Sequence, residues 1–90
     1  MERAIITVVG KDTIGIIAGV CNYLADNRIN ILDISQTIVN GYFNMMMVTD
    51  ASEAAKSAVE IADEMEELGR KMNLSIRCMH EDIFNTMHRV

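Results

Sequence analysis

The dipeptide Asn40–Gly41 restricts the fold of this chain more than any other feature, because it lies between two runs of strand-like residues. Asn-Gly is the preferred pair for a two-residue β-hairpin turn, since both turn positions take a positive φ angle. The runs on either side, residues 30–39 and 42–50, are rich in Ile, Val, Thr and Met. The sequence therefore predicts two adjacent antiparallel strands joined by a tight turn.

Alternation within these runs predicts which side chains share a face of each strand. In the first run, one face holds Leu32, Ile34, Gln36 and Ile38, and the other holds Ile31, Asp33, Ser35, Thr37 and Val39. In the second run, residues 45–48 read Met-Met-Met-Val without a polar break. Such a run is typical of a strand that is covered on both faces, so we expect that the second face of this strand is not simply open to water.

A strand-like segment and a helical pattern precede the hairpin. Residues 3–9 are mostly β-branched on both faces, which is typical of a central strand. From Ile16 onward, apolar side chains recur every three or four residues, which predicts a helix. Asp12 or Thr13 can cap the start of this helix, and Asn27 can end it.

The second half of the chain adds another helix and another strand. The helix is predicted over residues 55–72 with Ser52 as its N-cap, the strand over residues 74–79, and a short helix or extension over residues 81–90. The element order is strand, helix, strand, strand, helix, strand. With right-handed crossovers, this order gives the ferredoxin-like fold, an α+β sandwich of a four-stranded antiparallel sheet with two helices on one face.

Composition limits the class of protein further. The chain has 90 residues, half of them apolar, so we expect residues 1–90 to form a single domain. A net charge of −5 argues against a nucleic-acid surface, which needs clustered Lys and Arg. No apolar run is long enough to span a membrane and no signal-peptide pattern is present, so we expect a cytoplasmic protein. In that reducing compartment, Cys21 and Cys78 are expected to be free.

Ferredoxin-like proteins with other functions need residues that this chain lacks. An RNA-recognition domain needs aromatic residues on one sheet face, whereas Tyr42 and Phe43 are adjacent and fall on opposite faces. A metal chaperone needs two cysteines in the first loop, and an acylphosphatase-like enzyme needs an arginine there, but residues 10–15 read GKDTIG. Cys78 and His80 lack a second ligand pair, and no nucleophile has a partner base visible in the sequence. We therefore expect no catalysis, no metal and no cofactor.

Residues 8–50 resemble the ACT domain, a small-ligand regulatory module. The resemblance rests on the first loop and helix start, the opening of the second strand and the residues after the hairpin: Gly10, Asp12, Gly15, Ile16, Ile17, Asn30, Ile31, Phe43 and Met45. It is closest to the stand-alone single-ACT proteins of bacteria and archaea, to which the ending at residues 81–90 is also similar. Many ACT domains carry a proline where this chain has Ile14, so its loop is less stiffened.

The resemblance implies a homodimer or higher homo-oligomer in which copies pair side by side, with a small amino acid or related metabolite bound at their interface. The first loop of one subunit would form half of the site, and the second strand of its neighbour the other half. Gly10 and Gly15 would let the backbone approach the ligand, while Asn30 and Asp33 would face its amino group. The ligand-binding residues that it implies are Gly10, Asp12, Thr13, Ile14, Gly15, Ile16, Asn30, Ile31 and Asp33.

Each part of this hypothesis has an alternative. Asp12 can cap the helix instead of contacting a ligand, and the two loop glycines can simply permit a turn. The whole module can serve as a ligand-free assembly unit, or as a docking unit for a partner enzyme or regulator. A third alternative is a regulator similar to the glycine-cleavage repressor, acting through a partner protein. Neither a nucleic acid nor a membrane is expected among the partners.

Overall fold

The ferredoxin-like order predicted from the sequence is confirmed by the computed structural model, which describes residues 2–11 and 14–87. The elements run in the order β1 (Arg3–Lys11), α1 (Ile16–Asp26), β2 (Asn30–Val39), β3 (Tyr42–Asp50), α2 (Ala58–Met72), β4 (Leu74–His80) and α3 (Glu81–Met87). The segment expected after the last strand is therefore a short helix, α3. Within the described ranges, no helix combines the length and apolar character needed to cross a membrane.

The strands form one antiparallel sheet in the order β2-β3-β1-β4. β1 lies in its interior, paired with β3 on one side and β4 on the other, as its two apolar faces predict. The predicted hairpin joins β2 to β3, and both turn residues have a positive φ angle, 51° at Asn40 and 81° at Gly41. β2 and β4 are therefore the two edge strands.

The core lies between one face of the sheet and the helices α1 and α2. Because the chain has few aromatic residues, aliphatic and Met side chains fill this space. The members that are buried in the cluster are Ile6, Val8, Ile16, Val20, Leu24, Ile29, Phe43, Met45, Met47, Ile61, Met65, Leu74 and Ile76. This packing fixes the positions of both ends of α1, on which the candidate site depends.

A polar contact also ties α1 to α2. The Tyr23 hydroxyl donates to Glu64 Oε1 (2.8 Å), and Lys56 Nζ donates to the same oxygen (2.7 Å). Burial raises the pKa of Tyr23, and the hydrogen bond to Glu64 raises it further. The donors Lys56 and Tyr23 in turn lower the pKa of the Glu64 carboxyl. The two helices are thus joined by a hydrogen bond from Tyr23 to the Glu64 carboxylate as well as by the hydrophobic core.

The predicted face of Ile31 is wrong, because a β-bulge at Leu32 shifts the pairing of β2. Ile31 pairs with Thr49, while Asp33, two residues on, pairs with Val48. The extra residue turns Ile31 toward the helices, where it packs against the edge of the core. Apart from Ile31, every residue of β2 is exposed.

The helix α3 covers part of the second face of the sheet, the face that α1 and α2 leave free. It packs against β1 and β4, and Arg3 of β1 forms an ion pair with Glu81 (3.5 Å). Ile5 is consequently only 5% exposed, although it points away from the core helices. Along this face of β3, Val48 is half-buried and Met46 is 41% exposed, while Val9 at the far end of β1 is exposed as well. Within the described residues, the expectation that the second face of β3 is not open to water therefore holds at Val48 and not at Met46, and cover by a partner subunit stays a prediction.

The N-cap of α2 is Ser57 rather than the predicted Ser52. The Ser57 hydroxyl accepts a hydrogen bond from the Glu60 N–H (3.2 Å), and the Glu60 side chain accepts one from the Ser57 N–H, which together form a capping box. Ser52 instead accepts from the Glu2 N–H (2.9 Å) and donates its own N–H to Asp50 (3.0 Å). Both serines suit a cap, but only Ser57 is followed three residues later by a glutamate.

Gly69 lies where α2 comes closest to β4. A Cβ at this position would be 2.7 Å from the Leu74 carbonyl oxygen and 3.1 Å from a side-chain carbon of Ile76. The helix continues past this point to Met72, and its C-cap Asn73 has a φ angle of 57°. Packing, rather than backbone conformation, therefore requires glycine here.

Candidate functional site

The loop between β1 and α1, which is the first half of the predicted site, lies at the hairpin end of the sheet. Lys11 at the end of β1 pairs with Tyr42, the first residue after the hairpin. Asp12 and Thr13 lie outside the described residues, so their predicted contacts with a ligand stay predictions. The predicted site residues that the structure places at this end are Gly10, Ile14, Gly15 and Ile16.

Each glycine of this loop has a structural reason of its own. A Cβ at Gly10 would lie 2.5 Å from Leu74 Cδ2 and 3.1 Å from the Asn73 carbonyl oxygen, so glycine lets β1 pass close to the start of β4. Gly15 has a φ angle of 90°, and no described atom lies within 4 Å of the position of its Cβ. The constraint at Gly15 is therefore backbone conformation, and the space beside it is open.

The helix α1 begins at Ile16 with Gly15 as its N-cap, so the cap predicted at Asp12 or Thr13 is wrong in position. No side-chain hydrogen bond among the described residues caps this helix. The first backbone hydrogen bond runs from the Gly19 N–H to the Gly15 carbonyl oxygen (2.9 Å). The N–H groups of the first turn have no intrahelical acceptor, and they lie at the positive end of the helix dipole. This end of α1 can therefore receive an anion.

Two isoleucines beside this helix start face solvent. Ile14 is fully exposed, and Ile17, which continues the apolar stripe of α1, is 41% exposed. The residues of α1 that are buried are Ile16, Val20 and Leu24. The apolar stripe is thus wider than the core of this chain needs. A stripe of this width is the sequence signal for a second contact surface on α1.

The second half of the predicted site, at the start of β2, lies at the opposite end of the sheet. Asn30 pairs with Asp50, and Asp50 also pairs with Arg3 at the beginning of β1. Asn30 and Asp33 are both exposed, and Asp33 Oδ1 accepts a hydrogen bond from the Ile34 N–H (2.8 Å). An amide and a carboxylate are therefore available at this end.

Within one chain, the two halves of the predicted site do not meet. Asn30 and Val39 are the first and last residues of β2, and an extended strand of this length separates them by about 30 Å. Ile31 faces the core because of the bulge, whereas Asn30 and Asp33 on either side of it face solvent. A site that uses both halves needs a second copy of the chain.

The outer edge of β2 is bare in the part of the chain that the structure describes. β2 pairs only with β3, so the backbone groups of its other edge have no partner strand there. Edge strands are usually protected by lysine, proline, a β-bulge or a covering loop; residues 30–39 contain neither Lys nor Pro, and their bulge at Leu32 leaves residues 33–39 in regular pairing. α1 packs beside β2, and exposed isoleucines of both elements border the edge. We call this area the β2 edge surface (Ile17, Ile34 and Ile38).

The described part of the chain contains no cluster of side chains suited to a metal ion. No group of three or more His, Cys, Asp or Glu side chains in residues 2–11 and 14–87 could hold a metal ion. Cys21 and Cys78 are both free, and burial raises the pKa of the Cys78 thiol. His80 Nδ1 accepts a hydrogen bond from the Asp82 N–H (3.1 Å). The described loop residues therefore offer backbone hydrogen bonds and apolar contacts.

Known proteins share this fold and much of this sequence. The family model for the ACT domain matches residues 2–79. A UPF0237 protein from Bifidobacterium longum is 53% identical over 90 residues, which are 100% of both chains. An ACT domain protein from Streptococcus pneumoniae has a TM-score of 0.81 at 42% identity, over 92% of this chain and 93% of that one. A formyltetrahydrofolate deformylase from Pseudomonas syringae has a TM-score of 0.82 at 21% identity, over 89% of this chain and 28% of the enzyme, which is a likeness of fold alone.

Proposed function

The chain belongs to the ACT domain family, and from this premise we propose that it is a non-catalytic regulatory module. It binds a small amino acid or related metabolite between two copies that pair side by side through the β2 edge surface. Binding changes how the two copies pack or how they dock on another protein, which is coupling between sites rather than catalysis. The two free cysteines suit the reducing cytoplasm, where we place the protein.

The observation that carries this proposal is the bare edge of β2. A ten-residue strand with unpaired backbone groups is a template for another strand. The same strand of a second copy fits it best, because a two-fold axis lets one surface complement itself. Pairing of this kind continues the sheet through both copies and covers Ile34 and Ile38, which are exposed in the single chain.

A two-fold axis beside β2 also completes the site. Such an axis pairs β2 with the partner's β2 in antiparallel orientation, so the start of one strand lies opposite the end of the other. The partner's Asn30 then comes to the hairpin end of this chain, where the loop leads into α1, with its side chain on the face of the sheet opposite α1, as its pairing with Asp50 indicates. The separation of about 30 Å along β2 within one chain is thereby removed.

The two halves of the site suit the two charges of an amino acid. The first turn of α1 offers N–H groups at the positive end of a helix, which favours a carboxylate. The partner's start of β2 offers the amide of Asn30 and the carboxylate of Asp33, which favour an ammonium group. Ile14 is fully exposed beside the helix start, so an amino acid with a small or apolar side chain fits this arrangement best.

A ligand-free assembly module is the second candidate function, and the two loop glycines favour it. Gly10 is needed for the close approach of β4, and Gly15 is needed for its φ angle of 90°. Neither glycine therefore needs a ligand to explain its presence. This candidate uses the same β2 edge surface and differs in leaving the loop empty.

A thermal-shift screen against the standard amino acids separates the two candidates. A ligand present at 100 times its Kd adds about 2.7 kcal/mol to the free energy of unfolding. In a domain of 90 residues, this raises Tm by roughly 10 °C or more. We expect one or a few amino acids to produce such a rise. If none does, the assembly module is favoured.

Two variants test the place of the site. Asn30→Ala and Gly15→Ala should each reduce the ligand-induced rise in Tm. Gly41→Ala is the matched control for Gly15→Ala, because Gly41 also has a positive φ angle (81°) and open space at its Cβ position. The control should lose stability through backbone strain alone and keep the full ligand effect. An unchanged rise in Asn30→Ala would show that the site is placed wrongly.

Sedimentation analysis tests the shared interface separately. We expect a dimer or larger assembly at low micromolar concentration. Ile38→Lys should shift the equilibrium toward monomer, because it places a charge in the buried interface between the two β2 strands. Val59→Lys is the matched control, since Val59 is 70% exposed on α2, outside the β2 edge surface. A wild-type chain that stays monomeric at this concentration would remove the shared site altogether.

A further inference from the structure

A cavity lies between the first turn of α2 and the core face of the sheet, at the end of the sheet opposite the hairpin. We call it the α2 cavity. The apolar side chains that line it are Ala4, Ile6, Ile29, Ala51, Ala58 and Ile61. None of the residues around it belongs to the proposed amino-acid site, so the α2 cavity carries an inference that is independent of the proposed function.

Small side chains are the reason why this space is not filled. The first large side chain that α2 buries against the sheet is Ile61. One turn earlier the helix presents only Ala58, and β1 contributes only Ala4 to the same space. The resulting cavity has a volume of about 70 Å³. Protein cores contain few voids larger than a water molecule, so a space of this size is more than an ordinary packing gap.

The side chains of the wall offer little to water. The hydroxyl of Thr49, which is fully buried, donates to the Ala4 carbonyl oxygen (2.9 Å). Among the buried side chains of residues 2–11 and 14–87, no nitrogen or oxygen lacks a hydrogen-bond partner. Cys78 adds a half-buried thiol, whose pKa is raised by burial. A buried water needs two to four polar partners, so the α2 cavity favours an apolar occupant.

The cavity opens to solvent where its wall includes exposed residues, among them Ala58 and His80. Glu2 and Arg3 also lie at this mouth, and Arg3 forms an ion pair with Glu81 (3.5 Å). Side chains of both signs are therefore present, and neither an anion nor a cation is favoured. The part of a ligand that enters the cavity is uncharged.

The volume limits the size of that part. An engineered cavity of about 150 Å³ lined by apolar side chains binds benzene or xenon, and a cavity of about half that volume suits roughly three to five non-hydrogen atoms. We propose that the α2 cavity is a second small-molecule site, which takes a short, uncharged aliphatic group such as isobutyl. The remainder of the ligand lies at the mouth, beside Ala58 and His80.

The test uses the full chain and two uncharged probes, xenon and isobutanol. Xenon should shift the side-chain methyl NMR signals of Ile6, Ile29 and Ile61, and these shifts should saturate. The methyl signals of Ile16 and Ile76 should stay in place, because neither side chain lines the α2 cavity. Isobutanol should displace xenon with a millimolar Kd, since a ligand with so few atoms binds weakly.

Two variants fill the cavity by different routes. Cys78→Leu adds two non-hydrogen atoms to the wall, and Ala58→Leu places a larger side chain at the mouth, at an exposed helix position where leucine is favourable. Each variant should weaken the binding of both probes at least about tenfold, which equals about 1.4 kcal/mol. Cys21→Leu is the matched control for Cys78→Leu, because Cys21 is also free and half-buried but lies on α1, outside the cavity. Its Kd values should stay within about twofold of the wild type.

Three outcomes would overturn the proposal. The first is the absence of a saturable xenon shift at Ile6, Ile29 and Ile61. The second is unchanged binding of the probes in both Cys78→Leu and Ala58→Leu. The third is xenon that isobutanol does not displace, because the space would then be a packing void only. The amino-acid thermal shift should persist in Ala58→Leu, so failure of this cavity site is distinguishable from failure of the proposed function.

Discussion

Replacing two glycines of the helices by alanine should change stability in opposite directions. In a helix interior open to solvent, Gly→Ala stabilises by roughly 1 kcal/mol, because glycine loses more backbone entropy on folding. At Gly19, the added Cβ would lie 3.2 Å from Cε and Sδ of Met72, the far end of a flexible side chain. At Gly69, it would lie 2.7 Å from the carbonyl oxygen of Leu74 and 3.3 Å from the backbone nitrogen of Ile76.

The neighbouring atoms decide which effect is larger. Met72 can adjust its side-chain torsions, so we expect Gly19→Ala to keep most of the gain and to be neutral or stabilising by up to about 1 kcal/mol. The backbone of Leu74 and Ile76 is paired with β1, so it cannot move without straining the sheet. Overpacking of this kind costs roughly 1–3 kcal/mol. Because the 2.7 Å contact is with a backbone atom, we expect the upper part of this range, about 2–3 kcal/mol. After the helix propensity gain of about 1 kcal/mol, Gly69→Ala should therefore lose about 1–2 kcal/mol of stability.

Urea denaturation of both variants measures this difference. We expect the midpoint to fall for Gly69→Ala and to stay or rise for Gly19→Ala, with m-values equal to that of the wild type. In thermal unfolding, the loss at Gly69 corresponds to a decrease in Tm of roughly 5–10 °C for a domain of this size. A Gly69→Ala chain as stable as the wild type would refute the close approach of α2 to β4. Equal losses in both variants would refute the distinction between side-chain and backbone neighbours.

Three further predictions each rest on one local environment. Ser57→Ala should lower the free energy of unfolding by about 1 kcal/mol, because it removes the capping box. Ser52→Ala should lower it by less. A larger loss for Ser52→Ala than for Ser57→Ala in urea denaturation would contradict the observed helix start. The hydrogen bond from Lys56 is the main reason why the pKa of Glu64 lies below its usual value of 4.5. The stabilising effect of Glu64 is therefore present above pH 4.5 and is lost as pH falls through the folded-state pKa. In Glu64→Gln, Tm should fall less steeply over this acidic range. Burial raises the pKa of Cys78, so iodoacetamide at pH 8 should modify this thiol more slowly in the native chain than in urea; equal rates would argue against its burial.

Local signals in the sequence predicted the hairpin and the strand order well. The requirement for two positive φ angles belongs to Asn40 and Gly41 themselves, so no distant residue could change it. The face of Ile31 was different, because the bulge at Leu32 depends on how β2 pairs with β3. A bulge that is set by a partner strand leaves no mark in the alternation of apolar and polar residues.

The start of α2 could have been predicted from the sequence. Ser52 and Ser57 are both suitable caps, but only Ser57 has a glutamate three positions later to complete the capping box. The prediction of Ser52 overlooked the reciprocal hydrogen bond that the Glu60 side chain can make. The sequence therefore contains the signal for the correct N-cap.

The conformation of the first loop was predictable from the sequence, whereas the exposure of the side chains around it was not. The position of Gly15 at the start of α1 follows from the loop pattern, and its φ angle of 90° agrees with a turn that needs glycine. The exposure of Ile17 and Met46 was not predictable, because periodicity shows which side chains share a face and not what covers that face. Both side chains lie on surfaces that the described residues of this chain leave exposed to solvent.

Because the edge of β2 is bare, the stability of the protein should depend on its own concentration. If copies complete one another through this edge, the Tm of the chain rises with its own concentration. Dilution leaves a ten-residue strand uncovered, and a segment of this kind can pair with unrelated or partly unfolded chains and aggregate. A metabolite bound at the interface between the copies would slow their separation. The concentration of ligand would then also affect the lifetime of the folded protein.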